Sequence, residues 1–260
     1  MPPPKKRFGQ HFLHDPRILA RIADAVGIEA GDTILEIGPG PGGLTAELSR
    51  RATRLVAIEK DRDLIAALRE RFPGVAIIEA DALEVDWHAV AGPGPVRIAG
   101  NIPYNITTPL LEQALAPPRP RVIVFLVQKE VADRVAAPSG GSDYGALSVG
   151  VQAVARVERL FTVPAGAFHP PPKVDSAVLR LTPLDVPLIA PEQTASFRRF
   201  VVGLFGFRRK QLGRGLRELT GGTAEDAAAW LARAGIPPAT RPQELDPATF
   251  ARLFACAGPA

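Results

Sequence analysis

The chain is poor in the residues that staple or ligate. Its 260 residues contain one cysteine, Cys256, which excludes an internal disulfide framework. The four histidines, His11, His14, His88 and His169, are scattered and lack ligand spacing with that cysteine, so a metal-free protein is the economical reading. Apolar runs stop at strand length, as in Val122 to Val127, whereas a membrane-crossing helix needs about 20 residues. The N-terminal Pro2-Pro3-Pro4-Lys5-Lys6-Arg7 is basic, and no apolar stretch of signal-peptide length follows it. A cytoplasmic protein without membrane attachment is expected. Acid is missing locally. Between residues 198 and 217 there is none, but seven basic residues fall there: Arg198, Arg199, Arg208, Arg209, Lys210, Arg214 and Arg217. Residues 192–260 hold ten Lys/Arg against six Asp/Glu, which accounts for the whole net charge of +4, and the first 191 residues balance. Such segregation points to a polyanion gripped by the C-terminal segment.

What is present is the composition of an ordinary globular protein, 46% hydrophobic and 22% charged, with length for one large domain and a small one. Asp15-Pro16 reads as an N-cap followed by proline at the first helical position. Ile18, Leu19, Ile22, Ala23 and Val26 then repeat at helical spacing until Gly27. Strands are expected at Thr33 to Ile37, Arg54 to Ile58, Val75 to Ile78, Val96 to Ala99 and Arg121 to Val127, with helical patterns between the first ones. This alternation predicts an α/β fold, a doubly wound Rossmann-like sheet. A helix near Ala146 to Val154 and late strands around Val157 to Phe161 and Ser176 to Leu181 follow, the late pair flanking the loop Phe168 to Lys173. Pro183 to Pro191 reads as a linker. Beyond it, helical spacing of Phe197, Phe200, Val201, Leu204 and Phe205 predicts a small C-terminal helical domain. The expected division is 1–190, which holds the sheet, and 191–260, helical and carrying the polyanion-gripping basic run.

Gly38-x-Gly40-x-x-Gly43 after the first strand satisfies a dinucleotide fingerprint, and Glu59 ends the next strand 21 residues after Gly38. A carboxylate there can read ribose hydroxyls in NAD. It can equally read those of S-adenosylmethionine, which carries the same adenosine without a pyrophosphate. Downstream residues favour the second. Asp81 and Ala82 close the third strand with an acid for the adenine amino group of a cofactor. The fourth delivers Asn101-Ile102-Pro103-Tyr104. The Asn101 side-chain oxygen and a neighbouring carbonyl of Ile102 or Pro103 can accept both hydrogens of an exocyclic amine, while the Tyr104 ring stacks on its base. A hydride-transfer enzyme has no evident use for that tetrad. The pattern predicts a methyltransferase acting on adenine in a nucleic acid.

Longer motifs extend the reading. Arg7-Phe8-Gly9-Gln10-His11-Phe12-Leu13, Leu35 to Gly40, Asn101 to Pro109, Gln128-Lys129-Glu130-Val131, Tyr144 to Val149, Phe168 to Ser176 and Phe205 to Lys210 occur in this order. Across nearly its whole length the chain resembles the KsgA/RsmA family of small-subunit ribosomal RNA adenine dimethyltransferases. The resemblance implies S-adenosylmethionine as cofactor, bound by Gln10, His11, Leu13, Gly38, Gly40, Glu59, Asp81, Ala82 and Asn101. It implies a catalytic set of Asn101, Ile102, Pro103, Tyr104 and Phe168, with Tyr104 and Phe168 as a stacking pair. It also implies an opening motif that closes over the cofactor, and a monomer acting on small-subunit ribosomal RNA in immature small subunits. Two residues depart from the family pattern. His11 stands where an asparagine is usual, and His169 where a small polar residue is common. Alternatives of the same or other classes are a large-subunit RNA adenine methyltransferase of the antibiotic-resistance type, a non-catalytic RNA-binding assembly factor and, more distantly, a dehydrogenase.

Overall fold

A computed structural model of the chain describes residues 4–5 and 9–258. Arg7 and Phe8 of the opening motif, with Lys6 of the basic tail, lie outside the described residues. Elements run in the order β1 (Phe12–Leu13), α1 (Pro16–Val26), β2 (Thr33–Ile37), α2 (Gly43–Ser49), β3 (Arg54–Glu59), α3 (Arg62–Arg71), β4 (Ala76–Glu79), α4 (Trp87–Ala91), β5 (Val96–Asn101), α5 (Thr107–Ala114), β6 (Val122–Gln128) and α6 (Lys129–Ala136). They continue with α7 (Ala146–Gln152), β7 (Ala155–Val163), β8 (Phe168–His169), β9 (Ser176–Pro183), α8 (Thr194–Gly206), α9 (Leu212–Thr220), α10 (Ala224–Ala234) and α11 (Pro247–Ala257). The expected first helix forms as its sequence dictates. The Asp15 carboxylate accepts the N–H groups of Arg17 and Ile18, Pro16 opens the helix, and Gly27 ends it in the left-handed conformation.

A seven-stranded mixed sheet has the order β4-β3-β2-β5-β6-β9-β7, the doubly wound α/β fold that the alternation predicts. The pairs from β4 across to β6 are parallel, and β9 runs antiparallel to β6. The winding proceeds from β2 outward to β4 and then returns to β5 on the other side of β2. The C-terminal ends of β2 and β5 therefore meet at the switch point, with Ile37 opposite Gly100, where open α/β sheets bind ligands. The pairing is tight. A Cβ on Gly100 would lie 2.6 Å from the Ile37 carbonyl oxygen. The buried faces of β2, β3 and β6 form the core with Leu19, Ile22 and Val26 of α1. A separate antiparallel pair, β1 with β8, matches Phe12 to His169 and Leu13 to Phe168.

Two compact units emerge. One takes the chain up to Ala132 together with Glu158–Pro183; the other takes Asp133–Val157 and the chain from Leu184 onward. The division thus differs from a cut at residue 190, since 133–157 joins the C-terminal helices. The physical reason is Tyr144, fully buried, whose hydroxyl donates to the Leu245 carbonyl at 2.8 Å. Its ring packs edge-on against Phe205, which stacks on Phe250 with centroids 5.6 Å apart.

Candidate active site

Side chains from four strand ends and from the β1 segment converge on one cavity. Gly38 and Gly40, at φ 67° and 56°, turn the chain out of β2 through a conformation open to glycine. A Cβ at Gly40 would come 3.1 Å from the Phe12 ring, so β1 lies directly on this loop. Glu59 closes β3 and is 6% exposed. Its Oε2 accepts the Gly40 N–H at 3.0 Å and its Oε1 the Asp61 N–H at 2.7 Å. Burial raises its pKa, against the opposing pull of those two N–H groups. Asp81, just past β4, pairs with Lys60 and accepts the Leu83 N–H at 3.0 Å. Burial disfavours its charge, but the bonds from Lys60 and Leu83 outweigh that and hold the carboxyl below the usual range.

Asn101 ends β5. Its Nδ2 donates to the His11 carbonyl at 2.8 Å. A carbonyl can only accept, so the amide orientation is fixed and Oδ1 remains as an acceptor. The Pro103 carbonyl already accepts the Ile106 N–H and the Thr107 hydroxyl, each at 3.2 Å. That favours the Ile102 carbonyl over Pro103 as a second acceptor. Tyr104 lines the cavity beside them and its hydroxyl bonds Ser176 Oγ at 2.6 Å.

All nine expected cofactor residues, together with Ile102, Pro103 and Tyr104, line this cavity. Phe168 does not. It is 2% exposed, and its ring belongs to the core with Leu13, Leu19, Val163 and Val178. Pairing of β8 with β1 turns Phe168 inward, so the expected Tyr104–Phe168 pair does not frame the cavity.

A family model described as ribosomal RNA adenine dimethylase matches residues 3–257. The chain belongs to that family. The ribosomal RNA small subunit methyltransferase A of Acidithiobacillus ferrooxidans is 46% identical over 257 residues, which cover 97% of this chain and 94% of that one. Among solved structures, a dimethyladenosine transferase from Plasmodium falciparum is 25% identical with a TM-score of 0.78, covering 95% of this chain and 98% of that one. The 23S rRNA methyltransferase ErmE is 28% identical with a TM-score of 0.74, covering 95% and 100%.

This dimethylase-family site contains groups that the motif reading did not single out. Glu36, in the middle of an all-buried β2, is 1% exposed and lines the cavity, with its Oε2 lacking any hydrogen-bond partner. Burial pushes its carboxyl up to about 8; Thr45 opposes the rise and the charge of Glu59 adds to it. A charged residue inside an apolar strand was the available signal. Gln10 points to the acid beside Glu59, donating to Asp61 Oδ2 at 3.0 Å, and Lys5 pairs with both Asp61 and Asp63. Among the described residues no cluster of His, Cys, Asp or Glu is placed to hold a metal ion, and no helix is long and apolar enough to cross a membrane.

The dimethylase's second unit carries a basic concavity of its own. Arg209 and Lys210, from the turn after α8, and Arg214 and Arg217, from α9, line it with Arg241. All five are exposed. Arg241 lies outside the charge run and escaped the sequence reading. Arg208 is turned elsewhere, donating to the Ser142 carbonyl at 2.9 Å. Arg198 and Arg199 are exposed on α8 and do not line the concavity.

Proposed function

We propose that the protein dimethylates the exocyclic amines of adenosines, two adjacent ones, in the RNA of immature small ribosomal subunits, with S-adenosylmethionine as methyl donor. The observation that carries this reading is the fixed orientation of Asn101, whose Nδ2 is held by the His11 carbonyl. Its Oδ1 then accepts one amine hydrogen and the Ile102 carbonyl the other. The adenine amine is a poor nucleophile because its lone pair is delocalised into the ring. Two hydrogen bonds favour a pyramidal nitrogen and aim its lone pair, so alignment supplies much of the rate. The Tyr104 ring, anchored through Ser176, supplies a stacking face for the base. Release of the amine proton to water after alkylation requires no side-chain base.

The cavity suits the proposed cofactor. Its adenosine would present ribose hydroxyls to Glu59 and an amino group to Asp81, both of which line the cavity. When bound, it supplies a methyl group on positively charged sulfur. The concavity around Arg209, Lys210, Arg214, Arg217 and Arg241 takes RNA phosphates, contributing affinity with little sequence information.

The test is incubation with methyl-labelled S-adenosylmethionine and, separately, undermethylated small subunits and large-subunit RNA, followed by nucleoside analysis. Dimethyladenosine from small-subunit material alone is the expected result. Label in large-subunit RNA would transfer the protein to the resistance-type activity. RNA binding without label in either would make it an assembly factor.

A further inference from the structure

We propose that His11 is a positioning residue for the target base: its imidazole covers one face of Tyr104 and confines the adenine to the other. This rests on the reading of Tyr104 as the stacking platform. The two rings are stacked, with centroids 5.7 Å apart and planes at 23°. A base between them would need about 7 Å between the planes, twice an ordinary carbon contact, so the gap is closed to it. The imidazole is itself held. Nδ1 lies 2.8 Å from the Pro170 carbonyl, which can only accept, so Nδ1 donates this bond. This bond continues the β1–β8 ladder by one position, since Phe12 pairs with His169.

Tyr104 is therefore fixed twice, at its hydroxyl by the fully buried Ser176 and on one face by His11. The same residue's main-chain carbonyl orients Asn101. One position of the β1 segment thus sets both the amine acceptor and the ring that orients the base. The backbone bond to Asn101 survives any side-chain replacement, but the ring contact requires an aromatic side chain. Histidine at this position accordingly does something that an asparagine cannot.

The experiment compares His11→Ala, His11→Asn and His11→Phe with the wild type on undermethylated small subunits. It measures kcat, KM for each substrate and thermal stability. An aromatic pair is worth enough that loss of the His11 ring lowers kcat by up to about tenfold, with KM for S-adenosylmethionine and thermal stability little changed. His11→Phe restores most of kcat and His11→Asn does not. Wild-type kcat in His11→Ala or His11→Asn overturns the proposal, as does a loss confined to KM for S-adenosylmethionine, which would make His11 a cofactor contact. Failure of His11→Phe to exceed His11→Ala counts equally against it. A wild type that methylates no adenine would overturn the functional reading itself, a result distinct from an active wild type insensitive to His11.

Discussion

Glu59 Oε2 accepts the Gly40 N–H at 3.0 Å, so the acid expected to read the cofactor ribose also holds the glycine loop in shape. Its other oxygen accepts the Asp61 N–H, and Asp61 in turn receives Gln10 and Lys5. Replacing Glu59 with alanine leaves two N–H groups without their acceptor, each costing roughly 1–3 kcal/mol where water cannot reach. Calorimetric titration with S-adenosylmethionine should show affinity falling by about 10- to 100-fold, with a lower Tm. Glu59→Gln should fall between, since it keeps one acceptor oxygen. Undiminished affinity in Glu59→Ala would remove the residue from the cofactor site.

Glu36 predicts a pH dependence of stability with a definite sign. Its carboxyl rises from 4.5 to about 8 on folding, so between those values the folded chain holds a proton that the unfolded chain releases. Stability then declines as pH rises through that window, with a contribution approaching about 1.4 kcal/mol per pH unit. Glu36→Gln cannot ionise and should lack this contribution. Denaturant midpoints measured from acid to mildly alkaline pH give both slopes. Parallel curves for the two proteins would mean that Glu36 does not carry the proton.

The sheet and the glycine loop were legible because each rests on local signals. The Asp15 cap, the apolar β6 and the glycine turn after β2 depend on neighbours in sequence. The β1–β8 pair was not legible, since two-residue strands have no periodicity to read. That pairing buries Phe168, which sequence places in a loop among prolines. The membership of 133–157 in the second unit was hidden for a related reason: Tyr144 finds Leu245 101 residues away. Arg241 shows the same limit, joining Arg214 and Arg217 only through the fold. Local pattern reports elements; long-range pairing decides which side chains meet.

Asn101 offers a test of orientation as well as of need. Asn101→Ala removes the proposed amine acceptor and should reduce kcat by roughly 100- to 1,000-fold, the range for a polar group aimed at a reacting centre. Asn101→Asp keeps an acceptor oxygen but sets a carboxylate against the His11 carbonyl, two acceptors with no hydrogen between them. Its kcat should therefore fall as well. RNA binding by either variant should stay within about threefold of wild type, because phosphate contacts dominate affinity. Parallel losses of binding and turnover would argue that Asn101 supports the fold and not the amine.

The basic concavity separates arginines that share a sequence run. Arg214 and Arg241 line it, whereas Arg208 is bonded to the Ser142 carbonyl within the same unit. Removing one phosphate-binding side chain should flatten the dependence of log affinity on log salt by about 0.7 for single-stranded RNA, or about 0.9 if the bound helix behaves like a regular duplex. The double variant Arg214→Ala, Arg241→Ala should therefore reduce the slope by about 1.4 to 1.8. Arg208→Ala should change it less and lower Tm instead, since it removes a bond that ties α8's end to the 142 loop. Filter binding across a salt series, with Tm for each variant, makes the comparison. A slope that follows Arg208 and ignores Arg241 would show that charge density along the sequence, and not the shape of the concavity, selects the phosphate-binding residues.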